Sequence, residues 1–212
     1  MSECCGCGKV VDVAGMQAKQ RKVLVIVLLI NLATFVMMAL AAWHSHSSSL
    51  LSGSLDNLGD ALTYAVSLAV VGASAHLKGR VALLKGFLIL GAAIAVGVQI
   101  VWRLAHPGVP IFESMGVAAL LNLAANAVCL WLLNPYRAGD INMASAWECS
   151  RNDIYEGVAV ILAAALVWAF GAGWPDLVIA AALLVLFLRS AVRVLRAAWR
   201  ESRPSAQPSA TI

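Results

Sequence analysis

Four residues could do chemistry that their surroundings do not explain. Asp56 and Asp60 sit in one long apolar stretch of this 212-residue chain, and Cys149 and Asp153 sit in another. An acidic group at the centre of a bilayer costs about 2.5–3.5 kcal/mol on insertion scales, so such groups usually face a cavity and mark an ion or proton path. Each pair is spaced i, i+4. On a helix that places both members on one face, about 6 Å apart along the axis. Two such pairs on two helices can converge into one cage of three carboxylates and a thiol. Zn²⁺ prefers four ligands in tetrahedral array and accepts both oxygen and thiolate sulfur. Clustered carboxylates repel one another unless a proton or a cation intervenes. Metal binding at such a site therefore displaces protons. The plainer reading is that intramembrane carboxylates act as hydrogen-bonding glue between helices. Two matched pairs, each roughly 15–20 Å from a helix end, favour the ion.

The remaining reactive residues are less telling. Thiolate at Cys149 would favour Zn²⁺ and Cd²⁺ over Mn²⁺ or Mg²⁺; a small buried packing residue is the alternative. Glu156, three residues past Asp153 on a neighbouring face, reads as a proton carrier, a hydrogen-bonding support for a ligand or the mate of a cation elsewhere. Glu148 and Arg151 read as a local ion pair. Cys129 reads as packing. His44 and His46 lie at the outer mouth, where a solvated loop is the favoured reading and weak binding of a departing ion the alternative. Cys4, Cys5 and Cys7 crowd a polar N-terminal tail, where capture of a soft metal and an unstructured tail both stay open.

These residues need helices to position them, and the composition supplies helices of a particular kind. The chain is 61% hydrophobic and 12% charged, against about 25% charged in soluble domains. Its apolar residues come in blocks long enough to cross a bilayer. The expected class is an all-α membrane protein with six transmembrane helices, over Val23–Trp43, Ser49–Ala75, Val81–Leu104, Phe112–Asn134, Ile141–Phe170 and Trp174–Trp199. Lys78-Gly79-Arg80 reads as the junction between the second and third. Basic residues cluster before the first helix, at the second and fourth junctions and at the C-terminal end, so both termini are expected in the cytoplasm. Residues 1–20 and 201–212 read as tails flanking a transport domain over 21–200. The chain is expected in the cell (inner) membrane as a multi-pass protein. No basic face for nucleic acid is visible. Five cysteines at these spacings do not form a disulfide framework. Trp43, Trp102, Trp131, Trp174 and Trp199 fall near span ends as an interfacial belt, with Trp147 and Trp168 deeper.

Ser49 to Asp60, containing Asp56-Asn-Leu-Gly-Asp60, resembles the second-helix motif of the cation diffusion facilitator family. Cys149-Ser-Arg-Asn-Asp153 resembles that family's fifth-helix motif, with Cys149 where His is common. Asn31 and Phe35 also fall where family members often carry them. The resemblance covers about residues 21–200. It implies six transmembrane helices, a homodimer, and export of Zn²⁺ or a related ion such as Cd²⁺ (less readily Fe²⁺ or Mn²⁺) from the cytoplasm in exchange for protons. It implies that Asp56, Asp60 and Asp153 are ligands, with Cys149 in the fourth place, and that there is neither an enzyme activity nor a cofactor. Three departures stand out: no C-terminal cytoplasmic domain, Met38 and Gly53 where acidic residues are frequent, and a short fourth junction without His.

Two other functions compete. An Asp-x-x-x-Asp helix can bind Mg²⁺ in membrane transferases acting on diphosphate lipids. Such sites need several cations at one depth, and here only Arg151 is available. A metal-responsive membrane partner without transport of its own is the other.

Overall fold

The computed structural model describes residues 18–69, 75–137 and 141–202. Among these, all regular structure is helical. The elements are α1 (Ala18–Ser45), α2 (Ser48–Ala69), α3 (Ala75–Ala105), α4 (Phe112–Leu133), a single 3-10 turn (Asn134–Tyr136), α5 (Ile141–Phe170) and α6 (Trp174–Ser202). Pro175 takes the second position of α6, where its missing N–H costs no helical bond. Cys4, Cys5 and Cys7 lie outside the described residues.

Several helices outrun the spans expected from hydropathy. α1 begins at Ala18 and α6 runs to Ser202, so residues 18–20 and 201–202 are helical, not tail. α3 begins at Ala75, so Lys78-Gly79-Arg80 is its first turns and not a junction. The cause is that hydropathy marks where a helix enters lipid, whereas hydrogen bonding decides where it ends. At 1.5 Å per residue the 31 residues of α3 reach about 46 Å, well beyond a hydrocarbon core of about 30 Å. Gly79 weakens a helix by only about 1 kcal/mol. Trp168 is also not deep. It lies two residues from the end of α5 and is two-thirds exposed, with Phe170 and Trp174 in ring contact beside it.

Among the described residues, Ala18–Ser45, Phe112–Tyr136 and Cys149–Phe170 are long and apolar enough to cross a membrane by length and composition. Large apolar side chains face outward, including Leu29, Leu40, Leu120, Leu162 and Val178. The polar residues Asn31, Asn57, Asp60, Asn122, Asn126 and Asp153 are buried. This polarity is inverted relative to a water-soluble bundle.

α2 is the central element. It packs against α1, α3, α5 and α6 and touches α4. Its serines and aspartates depress its hydropathy, and neighbours shield them from lipid. α1 packs on α2 and α4, and α4 packs extensively on α5. α3 rests mainly on α6. Apolar burial gives little drive between helices in lipid, so close approach by small residues matters. Ala118, Ala119, Ala163 and Ala164 supply it at the α4–α5 seam. Gly157 supplies it too: a Cβ there would stand 3.2 Å from a Leu123 methyl.

The interior is layered. One apolar cluster joins Met38 and Ala42 of α1, Leu50 of α2, Met115, Ala118 and Ala119 of α4, and Val160, Ala163 and Ala164 of α5. A second joins Leu24 and Val27, Tyr64, Cys129 and Leu133, and Ala146 on the same four helices. Between them each helix presents polar residues: Asn31 and Thr34, Asn57 and Asp60, Asn122 and Asn126, Ser150 and Asp153. Each helix thus reads apolar, polar, apolar along its buried face. The antiparallel bundle brings the four polar belts to one depth.

At one end the loops are tied together. Ser47 caps α2, its Oγ accepting from Leu50 N–H at 3.1 Å. Asp176, in the first turn of α6, accepts from Ser47 Oγ (2.7 Å), Ser48 N–H (2.7 Å) and Ser49 N–H (3.0 Å). A carboxylate at the positive end of the α2 dipole is well placed. Ile111 N–H donates to Ser45 C=O at 3.0 Å. A Cβ on Gly173 would collide with the Gly108 carbonyl, so the α5–α6 and α3–α4 loops meet without room for a side chain.

Candidate ion site

Between the two apolar clusters lies a small cavity of about 10 Å³, close to the space that one water needs. Asp56 and Asn57 of α2, Asn122 and Asn126 of α4, and Asp153 and Glu156 of α5 form its polar wall. Met38, Gly53, Gly157 and Val160 form the apolar one.

Helical spacing explains the arrangement. On α2, Gly53, Asp56, Asn57 and Asp60 fall at i, i+3, i+4 and i+7, one stripe. On α5, Cys149, Asp153 and Glu156 fall at i, i+4 and i+7. On α4, Asn122 and Asn126 are one turn apart. The α2 and α5 stripes meet at Asp56 and Asp153, which are within side-chain hydrogen-bond reach. Asp60 and Glu156 stand near enough to Asp153 for like charges to be felt. Asp153 is only 4% exposed. Two acidic groups in such contact share a proton or a cation.

The amides organise the wall. Asn57 Nδ2 donates to Asn122 Oδ1 at 3.0 Å, linking α2 to α4. Asn31 Nδ2 turns back to Val27 C=O (2.9 Å), and Thr34 Oγ1 to Ile30 C=O (3.0 Å), so α1 satisfies these donors locally. Three buried acceptors on the cavity wall have no donor: Asn57 Oδ1, Asn126 Oδ1 and Asp153 Oδ2.

The four residues singled out by spacing are therefore not placed alike. Asp56 and Asp153 meet in the cavity. Asp60 is buried one turn further along α2, where Tyr64 O–H reaches its carboxylate at 3.4 Å and Cys129 of α4 is near. Cys149 is buried and one turn from Asp153, but it is not on the cavity wall. Among the described residues, no three His, Cys, Asp or Glu side chains are gathered closely enough to hold one ion in this conformation.

Glu156 is on the wall, where spacing alone suggested a neighbouring face. Reading i+3 from Asp153 in isolation hid the i+7 relation to Cys149. Asn57, Asn122 and Asn126 carry no charge to mark them in sequence. Two amides one turn apart in the otherwise apolar α4 were the available signal. Arg151 lies 5.3 Å from the Trp147 ring centroid; the Glu148 side chain, its expected partner, lies outside the description. Cys129 packs with Leu24, Val27 and Leu133, as expected of a packing residue. Met38 and Gly53, two separate departures in sequence, are neighbours in space: a Cβ on Gly53 would stand 3.2 Å from Met38 Cε.

Buried ionisable groups inside an apolar exterior define an integral membrane protein with a polar chamber at its centre. Residues 24–201 match the cation efflux transmembrane domain. The chain belongs to the cation efflux family of membrane transporters, and the membrane-transferase reading falls away. It is 28% identical over 198 residues to the zinc transporter ZitB of Yersinia pestis, covering 87% of this chain and 64% of that protein. It is 24% identical over 192 residues to a cadmium, cobalt and zinc/H(+)-K(+) antiporter of Bacillus velezensis, covering 83% and 61%. The chain thus spans less than two thirds of the length of each.

Proposed function

We propose that the chain exports Zn²⁺, and with it Cd²⁺, from the cytoplasm in exchange for protons, through a site between α2 and α5. In this reading all six helices cross the membrane with both termini inside. Asp56, Asp60, Cys149 and Asp153 bind the ion in turn or together. The observation that carries the reading is the contact of Asp56, partly buried, with Asp153, buried, two acidic side chains from distant segments at the level where four polar belts coincide.

The layering supports alternating access. An apolar cluster lies on each side of the chamber. Rocking of helices that parts one cluster while closing the other exposes the carboxylates to one side at a time. Protons arriving on the carboxylates release the ion, because ligand oxygens must be deprotonated to bind it. The similarity to a zinc transporter and to a metal/proton antiporter agrees with this ion and this coupling. The working unit is taken as a homodimer, which native mass measurement in detergent tests.

The test is uptake of labelled zinc into inverted membrane vesicles with and without an imposed proton gradient. Gradient-driven uptake that is lost in Asp60→Ala and Asp153→Ala is expected. Transport surviving both substitutions would sink the site assignment, and uptake indifferent to the gradient would sink the antiport.

A further inference from the structure

We propose that the chamber contains an oxygen-only cation subsite, built by Asp153 and Glu156 with Asp56, Asn57 and Asn126, that takes a hard divalent cation such as Mn²⁺. The proposal rests on the chamber being an ion site and adds a second donor set to it.

It starts from acceptors without donors. Asn57, Asn126 and Asp153 are 2%, 1% and 4% exposed, and Oδ1, Oδ1 and Oδ2 respectively accept no hydrogen bond. A buried acceptor stripped of water and left unpaired is costly. Three of them on the wall of one small cavity are satisfied together by a cation. Asn57 is committed to this arrangement because its amide nitrogen is already engaged by Asn122 Oδ1 at 3.0 Å. Asp56 and Glu156 bring carboxylates to the same wall; with Asp153 they are not gathered around one point in this conformation, so the ion draws them together as it binds.

The donor type sets the ion. Six side chains of the wall offer carboxylate or amide oxygen against one thioether, that of Met38, and carboxylate and carbonyl oxygens suit Mg²⁺, Ca²⁺ and Mn²⁺. Cys149, whose sulfur would favour Zn²⁺ or Cd²⁺, is not on the wall. On α5 the two donor types are separated along one face, with Cys149 a turn before Asp153 and Glu156 a turn after. Asp153 belongs to both sets. An ion displaced by about one turn, 5.4 Å, moves from a soft set to a hard one, and the two ions compete for Asp153.

The experiment uses the purified chain in lipid nanodiscs. Mn²⁺ is titrated and followed by loss of the free-ion electron paramagnetic resonance signal; Cd²⁺ is titrated by calorimetry. The wild type binds both, each displacing the other. Glu156→Gln weakens Mn²⁺ about tenfold or more and leaves Cd²⁺ within about twofold; Cys149→Ser does the reverse. Asn126→Asp preserves shape, adds a charged ligand and tightens Mn²⁺. Wild-type protein that binds Cd²⁺ but no Mn²⁺ overturns the proposal. So does equal loss of both ions in Glu156→Gln, or Mn²⁺ binding indifferent to both Glu156→Gln and Asn126→Asp. The underlying transport-site reading fails separately, if Asp153→Asn leaves Cd²⁺ binding unchanged.

Discussion

Removing the Asp176 carboxylate should loosen the start of α2 more than any other single change at that end of the molecule. Asp176 is fully buried and accepts three hydrogen bonds, two from backbone N–H groups of Ser48 and Ser49 and one from Ser47 Oγ. In Asp176→Ala those two amides lose their acceptor, and Ser47, which caps Leu50 N–H, loses its anchor. Loss of a charged acceptor costs about 1.5–3 kcal/mol. Loss of a favourable helix-end charge adds about 0.3–1 kcal/mol. Together about 2–4 kcal/mol of local stability is removed. At about 1.4 kcal/mol per decade, amide exchange at Ser48, Ser49 and Leu50 should accelerate roughly 30- to 700-fold. Hydrogen–deuterium exchange of the detergent-solubilised protein, read on the peptide covering residues 46–52, measures this. Asp176→Asn keeps one oxygen acceptor and should fall between Ala and wild type. Unchanged exchange in Asp176→Ala would refute the cap and with it the tie between α6 and α2.

Gly173→Ala should destabilise the same end by about 1–3 kcal/mol, since the new methyl meets the Gly108 backbone and not a side chain that can swing away; thermal unfolding in detergent checks it. A double-mutant cycle on Asn57→Ala and Asn122→Ala should return a coupling of about 0.6–1.7 kcal/mol, the range for hydrogen bonds between membrane helices; additive effects would mean the two amides do not pair. Cys149→Asp should move the metal ranking towards Mn²⁺ or Fe²⁺ in competition binding. An unchanged ranking would leave Cys149 as packing only.

Much of the site was legible in sequence, and the reason is periodicity. A carboxylate in an apolar segment stands out, and i, i+4 spacing assigns its face without knowledge of the partner. Asp56 and Asp153 were found this way and meet. What spacing cannot supply is the rotation of one helix against another. That rotation brings Glu156 onto the wall and leaves Cys149 off it. Asn57, Asn122 and Asn126 carry no charge, so in sequence they do not stand apart from amides that merely glue helices together. Asp176 lies in the first turn of α6 and gives no sign in sequence of a distant partner. It stabilises the first turn of α2, a contact between segments far apart in the chain. The helix ends were misjudged at Ala18, Ala75 and Ser202 for a related reason: solvated polar turns continue a helix that lipid-scale hydropathy cannot see.

The central claim is that a divalent ion is held between α2 and α5. Its most direct test is an anomalous-difference map from crystals of the protein grown with Cd²⁺. The claim predicts a peak in the chamber within inner-sphere distance of carboxylate oxygens of both Asp56 and Asp153, about 2.0–2.4 Å away. A Cd²⁺ peak of full occupancy elsewhere, with the chamber carboxylates untouched, would contradict it.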